Sequence, residues 1–169
     1  MFKYDDEIDN WSHKMIEGIE GVWGYKLEKT DKKDKLITMD MLIKYLNEYI
    51  EKYGEEILNR FNNLTGLSFN IGNFGLYVNT TSVSMHNGQQ MYVSIGLNHP
   101  FISYPTIVIH EIFHIYFSHY IYTEKFLISN NVLKTEDVVL PPEENDIKEI
   151  ITVIINELFE DIIDTPDYG

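Results

Sequence analysis

Two histidines and a glutamate near residue 110 have the types and spacing of a metal site. The stretch His110-Glu111-Ile112-Phe113-His114 reads H-E-x-x-H. In a helix, residues four apart lie one turn apart on the same face, so both imidazoles can bind one metal ion. Glu111 would then lie beside a metal-activated water and could accept its proton. The spacing predicts a site for zinc-dependent hydrolysis.

The residues around this motif predict a buried helix. Apolar side chains occur on every side between Ile107 and Phe117, which is typical of a core helix, and Pro105 suits its first turn. Burial of an uncompensated polar group costs about 1–3 kcal/mol, and burial of a charge costs more. A bound metal would compensate the three polar side chains. Ordinary hydrogen bonds among them are the alternative.

A third protein ligand is expected from a second apolar stretch, residues 142–164, which we predict to be helical. Glu157 follows Val153 by one turn and projects from its apolar stripe, and Asp161 lies one turn further on. We expect Glu157 to bind the metal and Asp161 to accept a hydrogen bond from a ligand histidine. Alternatively, Glu157 lies at the edge of a solvated face, because this stretch also contains Glu149, Asn156, Glu160 and Asp164.

Together, H-E-x-x-H and the later N-E-x-x-x-D resemble the gluzincins, the thermolysin-like branch of zinc metallopeptidases. The resemblance implies a zincin-like α+β fold and a Zn²⁺ cofactor. It also implies that His110, His114 and Glu157 are zinc ligands, that Glu111 is the general base and that Asp161 supports a ligand. It covers only these two segments. The chain departs from the family in its short length and in the long stretch between the motifs.

His119 is a rival third ligand. The metzincin pattern H-E-x-x-H-x-x-G-x-x-H uses a glycine to break the helix before its third histidine. This chain has no such glycine, and His119 comes one residue too early. On a continuing helix it lies opposite His110, where the helix dipole near the C-terminus favours a cation.

Composition limits the classes of partner. With 13 basic and 27 acidic residues the net charge is −14, which repels nucleic acids and anionic membranes. Because cysteine is absent, a metal must be held by histidines and carboxylates. No leader or long apolar run is seen, so we expect a cytoplasmic protein. Its length predicts one domain over residues 1–169, with residues 1–35 as a candidate pro-like extension.

Hydrophobic periodicity predicts an α+β order in which a small, mostly antiparallel sheet with a hairpin precedes the active-site helix and a C-terminal ligand helix. The hairpin should turn at Asn87-Gly88. The resemblance to the gluzincins implies that residues 91–95, just before the metal helix, are an edge strand that pairs with an extended peptide; alternatively, they are an internal strand. The other predicted elements are helices 5–20 and 40–62, the latter with a break at Gly54, and strands 22–27, 67–71 and 76–78.

We therefore expect a zinc metallopeptidase acting on a peptide or on one dedicated protein partner. The alternative is a metal-binding regulatory or interaction domain with a structural zinc and no proteolysis. Residues 122–142 could form a lid over the cleft or a simple connection. The candidates for stabilising the oxyanion of the transition state are His86, His99, Tyr104, Tyr116 and Tyr120.

Overall fold

The computed structural model describes residues 1–23, 36–97, 99–122, 156–163 and 165–166, where three long helices surround a four-stranded sheet. The α+β class predicted from the sequence is confirmed. The elements in chain order are β1 (Lys3–Tyr4), α1 (Asp6–Trp23), α2 (Leu36–Thr65), β2 (Gly75–Asn79), β3 (Met85–Asn87), β4 (Tyr92–Gly96) and α3 (Tyr104–Tyr122), with 3₁₀ turns at Ile71–Asn73 and Phe101–Ser103.

The sheet is mixed, so the prediction of a mostly antiparallel sheet was wrong. Its strand order is β1-β2-β4-β3, in which β1 with β2 and β2 with β4 are parallel and only β3 with β4 are antiparallel. After β2 the chain crosses to the outer position, forms β3, and returns as β4 between β3 and β2. Parallel pairs such as Lys3 with Tyr77 join distant segments, and they leave no local pattern in the sequence.

The predicted hairpin is confirmed, with a longer turn than the Asn-Gly pair indicated. Asn87 is the last residue of β3 and pairs with Tyr92, so four residues connect the strands. The side chain of Asn87 accepts a hydrogen bond from the backbone N–H of Gln90 at 2.9 Å. Met91 closes the turn in the left-handed region, with a φ of 55°. The side chain of Asn87, the last residue of β3, therefore stabilises the turn.

Strand β4 is internal, which overturns the prediction that residues 91–95 form the edge beside the metal helix. It has hydrogen-bonded neighbours on both sides, and all five of its residues are buried. Its small and apolar residues suit a strand covered on both faces. The edge strand of this side of the sheet is β3, which is short and carries His86 at its centre.

Helices α2 and α3 pack together and build the core that holds α3 in place. The ring of Phe61 on α2 lies 5.1 Å from that of Tyr116 and 6.0 Å from that of Phe113, both on α3. Helix α2 runs without a break through Gly54, whose missing side chain leaves room beside Ile50. None of the helices in the described ranges has the length and apolar character needed to cross a membrane.

Helix α1 is tied to the sheet by buried polar groups. Asp9 is only 4% exposed, and its Oδ1 accepts hydrogen bonds from the backbone N–H of Thr80 at 2.6 Å and from its hydroxyl at 2.9 Å. The hydroxyl of Tyr4 donates to Asp9 Oδ2 at 3.0 Å. These bonds fix the chain where it leaves β2. A pro-like role for residues 1–35 stays a prediction.

Two further predicted strands do not form as expected. Residues 22–23 belong to α1, and residues 24–27 lie outside the described residues. Residues 67–70 are irregular and lead into the 3₁₀ turn at Ile71–Asn73, because the side chain of Asn70 accepts a hydrogen bond from Gly72 N–H at 3.0 Å and caps the turn.

Of the predicted C-terminal helix, residues 156–158 form a helical turn and residues 159–162 form turns. The segment docks on α2 through Phe159, which is fully buried with its ring 5.0 Å from that of Phe61. The rest of this helix and the stretch between the two motifs, residues 123–155, lie outside the described residues.

Candidate metal centre

Helix α3 places the two histidines of the motif side by side, as predicted. His110 and His114 lie one turn apart, and their Nε2 atoms are separated by 2.6 Å. At this distance one Nε2 donates a hydrogen bond to the other. Glu111, on the same helix, is buried at 7% exposure, and His114 is buried at 3%, whereas His110 is half-buried. A buried carboxylate next to a buried imidazole is costly unless both are hydrogen-bonded or bind an ion.

The donor set suits zinc. Two imidazole nitrogens with carboxylate oxygens nearby are ligands that Zn²⁺ accepts, and the chain has no thiolate to compete. Nitrogens that share a tetrahedral zinc at 2.0–2.1 Å lie about 3.3 Å apart. The 2.6 Å separation of the His110 and His114 Nε2 atoms must therefore widen by roughly 0.7 Å, which a small rotation of either ring provides.

His86, from the edge strand β3, lies with Glu111 and His114 in a group that does not include His110. Its Nδ1 lies 2.9 Å from Glu111 Oε2, and its ring centroid lies 4.5 Å from that of His114. Within the described residues, His86, Glu111 and His114 form the group of three possible metal ligands, with ligand atoms all within 4.8 Å of one another. The sequence marked His86 only as one of five candidates for oxyanion stabilisation, because nothing local indicates that β3 lies against α3.

The structure does not bring Glu157 or Asp161 into this group. Glu157 is exposed on the helical turn at 156–158. Asp161 is also exposed, and its two carboxylate oxygens accept hydrogen bonds from Arg60 at 2.6 and 2.7 Å. This guanidinium lowers the pKa of Asp161 below its ordinary value. Roles for Glu157 as the third ligand and Asp161 as a ligand's partner stay predictions.

His119 does not belong to the group either. Its Nε2 lies 3.0 Å from the carbonyl oxygen of Gly88, and its ring meets that of Phe69 edge-on at 5.3 Å. The first contact joins the end of α3 to the turn of the β3–β4 hairpin, and the second joins it to the segment before β2. His119 thus has structural partners outside the group that contains Glu111.

A cleft of about 400 Å³ opens beside the motif. Its lining includes His110, Glu111, residues 82–84, Thr165 and Pro166. The chain at 165 is held by Thr106, whose hydroxyl donates to the carbonyl oxygen of Thr165. Among the described residues that line the cleft, none is a lysine or an arginine. The cleft therefore offers a mostly apolar surface next to the carboxylate of Glu111 and the imidazole of His110.

The five oxyanion candidates have different positions. His86 lies within the cluster, and His99 lines the cleft with its ring edge-on to Tyr104 at 5.9 Å. Tyr104 is buried, which raises the pKa of its phenol. Tyr116 is also buried, and it donates a 2.7 Å hydrogen bond to α2. The side chain of Tyr120 lies outside the described residues. The two histidines are therefore the candidates that border the site.

Sequence reasoning also missed the walls of the cleft. Residues 82–84 reach the site because the 81–83 segment crosses closely over β4, where a Cβ on Gly96 would lie 2.8 Å from the backbone nitrogen of Val83. That glycine is the one local signal of the close approach.

No family model, curated protein or solved structure matches this chain.

Proposed function

We propose that this chain is a zinc-dependent peptidase. One observation carries the proposal: the Nε2 atoms of His110 and His114 lie 2.6 Å apart next to the buried carboxylate of Glu111, and His110 and Glu111 line an open cleft. Two imidazoles and a carboxylate in this order on one helix are the parts that metal-assisted hydrolysis needs. The cleft gives a substrate access to them.

The metal would be held by His110 and His114, with Glu157 as the expected third ligand. Bound zinc would lower the pKa of a water molecule towards about 7 and polarise a carbonyl oxygen of the substrate. Both histidines would bind the metal as neutral imidazoles, through the Nε2 atoms that lie close together. Burial of His114 against the core limits its ring to few orientations.

Glu111 would move the proton. An ionised carboxylate only accepts hydrogen bonds, so Glu111 can take a proton from a water in the cleft as that water attacks the amide carbon. The carboxyl group then holds one proton. As the carbon–nitrogen bond breaks, Glu111 passes this proton to the leaving amine and returns to its ionised form.

The substrate we propose is an extended peptide, free or within a partner protein. Residues 82–84 line the cleft and lead directly into the edge strand β3, whose outer side has no strand neighbour among the described residues. Backbone groups at a sheet edge can pair with a peptide of almost any sequence. The net charge of −14 favours the approach of basic segments.

A second candidate is a binding domain with a structural zinc. The group formed by His86, Glu111 and His114 favours this candidate. A metal held by all three residues would occupy the carboxylate of Glu111, and that carboxylate could then no longer act as the base in hydrolysis. A closed site of this kind stabilises a fold and does not activate water.

Elemental analysis combined with a cleavage assay tests the proposal. The parent should hold about one zinc per chain. Glu111→Gln should keep the zinc and lose all cleavage of a peptide library read by mass spectrometry. Parent protein without zinc after reconstitution, or Glu111→Gln as active as the parent, would refute the peptidase. Loss of zinc in Glu111→Gln would favour the structural site.

The third ligand is tested in the same assay. Glu157→Ala should lower the zinc content, and Glu160→Ala is the matched control, because Glu160 is an exposed carboxylate on the same segment. Equal zinc in the two variants and the parent would remove Glu157 from the ligand set.

A further inference from the structure

We propose that His86 is a positioning residue for Glu111, holding the carboxylate at the cleft by a hydrogen bond from the edge strand β3. This inference rests on the proposed function, because it concerns the group that would act as general base. The contact joins His86 Nδ1 and Glu111 Oε2 at 2.9 Å.

The chemistry of the pair sets the proton on one nitrogen. The proposed base must be ionised, and an ionised carboxylate only accepts hydrogen bonds, so in this arrangement Nδ1 of His86 donates to Glu111. The ring also lies against that of His114 at 4.5 Å between centroids, with 38° between the planes. Its orientation is therefore fixed on two sides. The Glu111 side chain is 9% exposed and that of His86 is 24% exposed, so little water competes for the bond.

The hairpin holds His86 in register with α3. Its backbone pairs with Val93 of the internal strand β4, and successive side chains of a strand point to opposite faces. His86 therefore points to α3 and Met85 points away. At the turn, the carbonyl oxygen of Gly88 lies 3.0 Å from His119 Nε2, also on α3. The hairpin is thus attached to the helix at two points, and only one of them involves Glu111.

This arrangement prepares the carboxylate for its role. A free glutamate side chain has several rotors, and ordering it during catalysis would cost conformational entropy. The bond to Oε2 orders the group in advance and leaves Oε1 for water. Residues 82–84 line the cleft and lead into β3, so the proposed peptide would bind next to the strand that holds the base. Loss of the bond should lower kcat more than it changes KM.

Histidine ring NMR tests the contact without any substrate. Long-range ¹H–¹⁵N spectra of the metal-free protein should show His86 with its proton on Nδ1. Glu111→Gln should change the nitrogen shifts of His86 and leave those of His119 unchanged. A His86 ring protonated on Nε2 in the parent would overturn the proposal.

Zinc content separates a positioning role from a ligand role. His86→Leu should hold as much zinc as the parent, because the ligands are His110, His114 and a third group. Loss of the zinc in His86→Leu, under conditions where the parent keeps it, would make His86 a ligand and refute positioning.

Kinetics on a cleaved peptide test the consequence. His86→Leu should lower kcat by about 10- to 100-fold with KM little changed. His86→Asn should recover most of this loss, since its amide nitrogen is bonded to Cγ as Nδ1 is and can donate from nearly the same place. His13→Leu, the matched control, should stay near the parent, because His13 lies on α1 and its ring bonds Thr80. Equal kcat values for the Leu and Asn variants, or a change confined to KM, would contradict the proposal.

The two proposals can fail separately. A parent that holds zinc but cleaves no peptide, with His86 protonated on Nδ1 and sensitive to Glu111→Gln, would end the proposed function and leave the contact supported. A parent that cleaves peptides with a His86 ring insensitive to Glu111→Gln would keep the function and refute the role of His86.

Discussion

Replacing Asp9 by alanine should destabilise the fold by about 2–4 kcal/mol. The change removes the acceptor of the Thr80 backbone N–H in a buried place, and a buried donor that loses its acceptor costs about 1–3 kcal/mol. The two hydroxyls that also donate to Asp9 have other neighbours, because Thr80 Oγ1 lies 3.0 Å from His13 Nε2 and Tyr4 bonds Asp6 at 2.9 Å. Loss of the two hydroxyl hydrogen bonds to Asp9 should add only about 1 kcal/mol to the destabilisation.

Urea unfolding followed by circular dichroism measures this loss. With a slope of about 2 kcal/mol per molar urea, the midpoint should fall by about 1–2 M in Asp9→Ala. Asp9→Asn is the control, because its Oδ1 can still accept from Thr80 N–H, and it should lose about half as much. A midpoint for Asp9→Ala within error of the parent would refute the reasoning, as would equal midpoints for the two variants.

Three further predictions concern the segments around the site. Phe159→Ala should lower the free energy of unfolding by about 3–5 kcal/mol, since the ring is fully buried, and calorimetry should show a lower Tm. Gly96→Ala should destabilise by about 1–3 kcal/mol in urea unfolding, because its Cβ would lie 2.8 Å from the backbone of Val83; an unchanged midpoint would contradict this close approach. Arg60→Gln should raise the pKa of Asp161 towards its ordinary 3.8 in an NMR titration. In the parent, this pair stabilises the fold above that ordinary pKa, and the contribution is lost as the pH falls through the lowered pKa of Asp161.

The elements that could be predicted are those whose signals are local. Helix α3 follows from an unbroken apolar run with Pro105 in its first turn, and the hairpin follows from Asn87-Gly88. The pairing of His110 with His114 follows from helical geometry alone. These features depend on residues only a few positions apart.

The features that could not be predicted depend on distant segments. Nothing near His86 indicates that its strand lies against Glu111, 25 residues further along the chain. The parallel pairing of β2 with β4 likewise places β4 inside the sheet, although its residues also suit an edge strand. Alternation of apolar residues identifies strands, but it does not fix their order in a sheet.

The position of β1 has a consequence for synthesis on the ribosome. Lys3 pairs with Tyr77, so 74 residues separate the two partners along the chain. At roughly 5–20 residues per second, the first strand waits about 4–15 s after its own translation before its partner is made. During that interval α1 can form, but it has no sheet to cover. Chaperones that bind nascent chains should therefore meet β1 and α1 before their sheet partner exists, and a slowed stretch of codons before residue 77 should prolong that exposure.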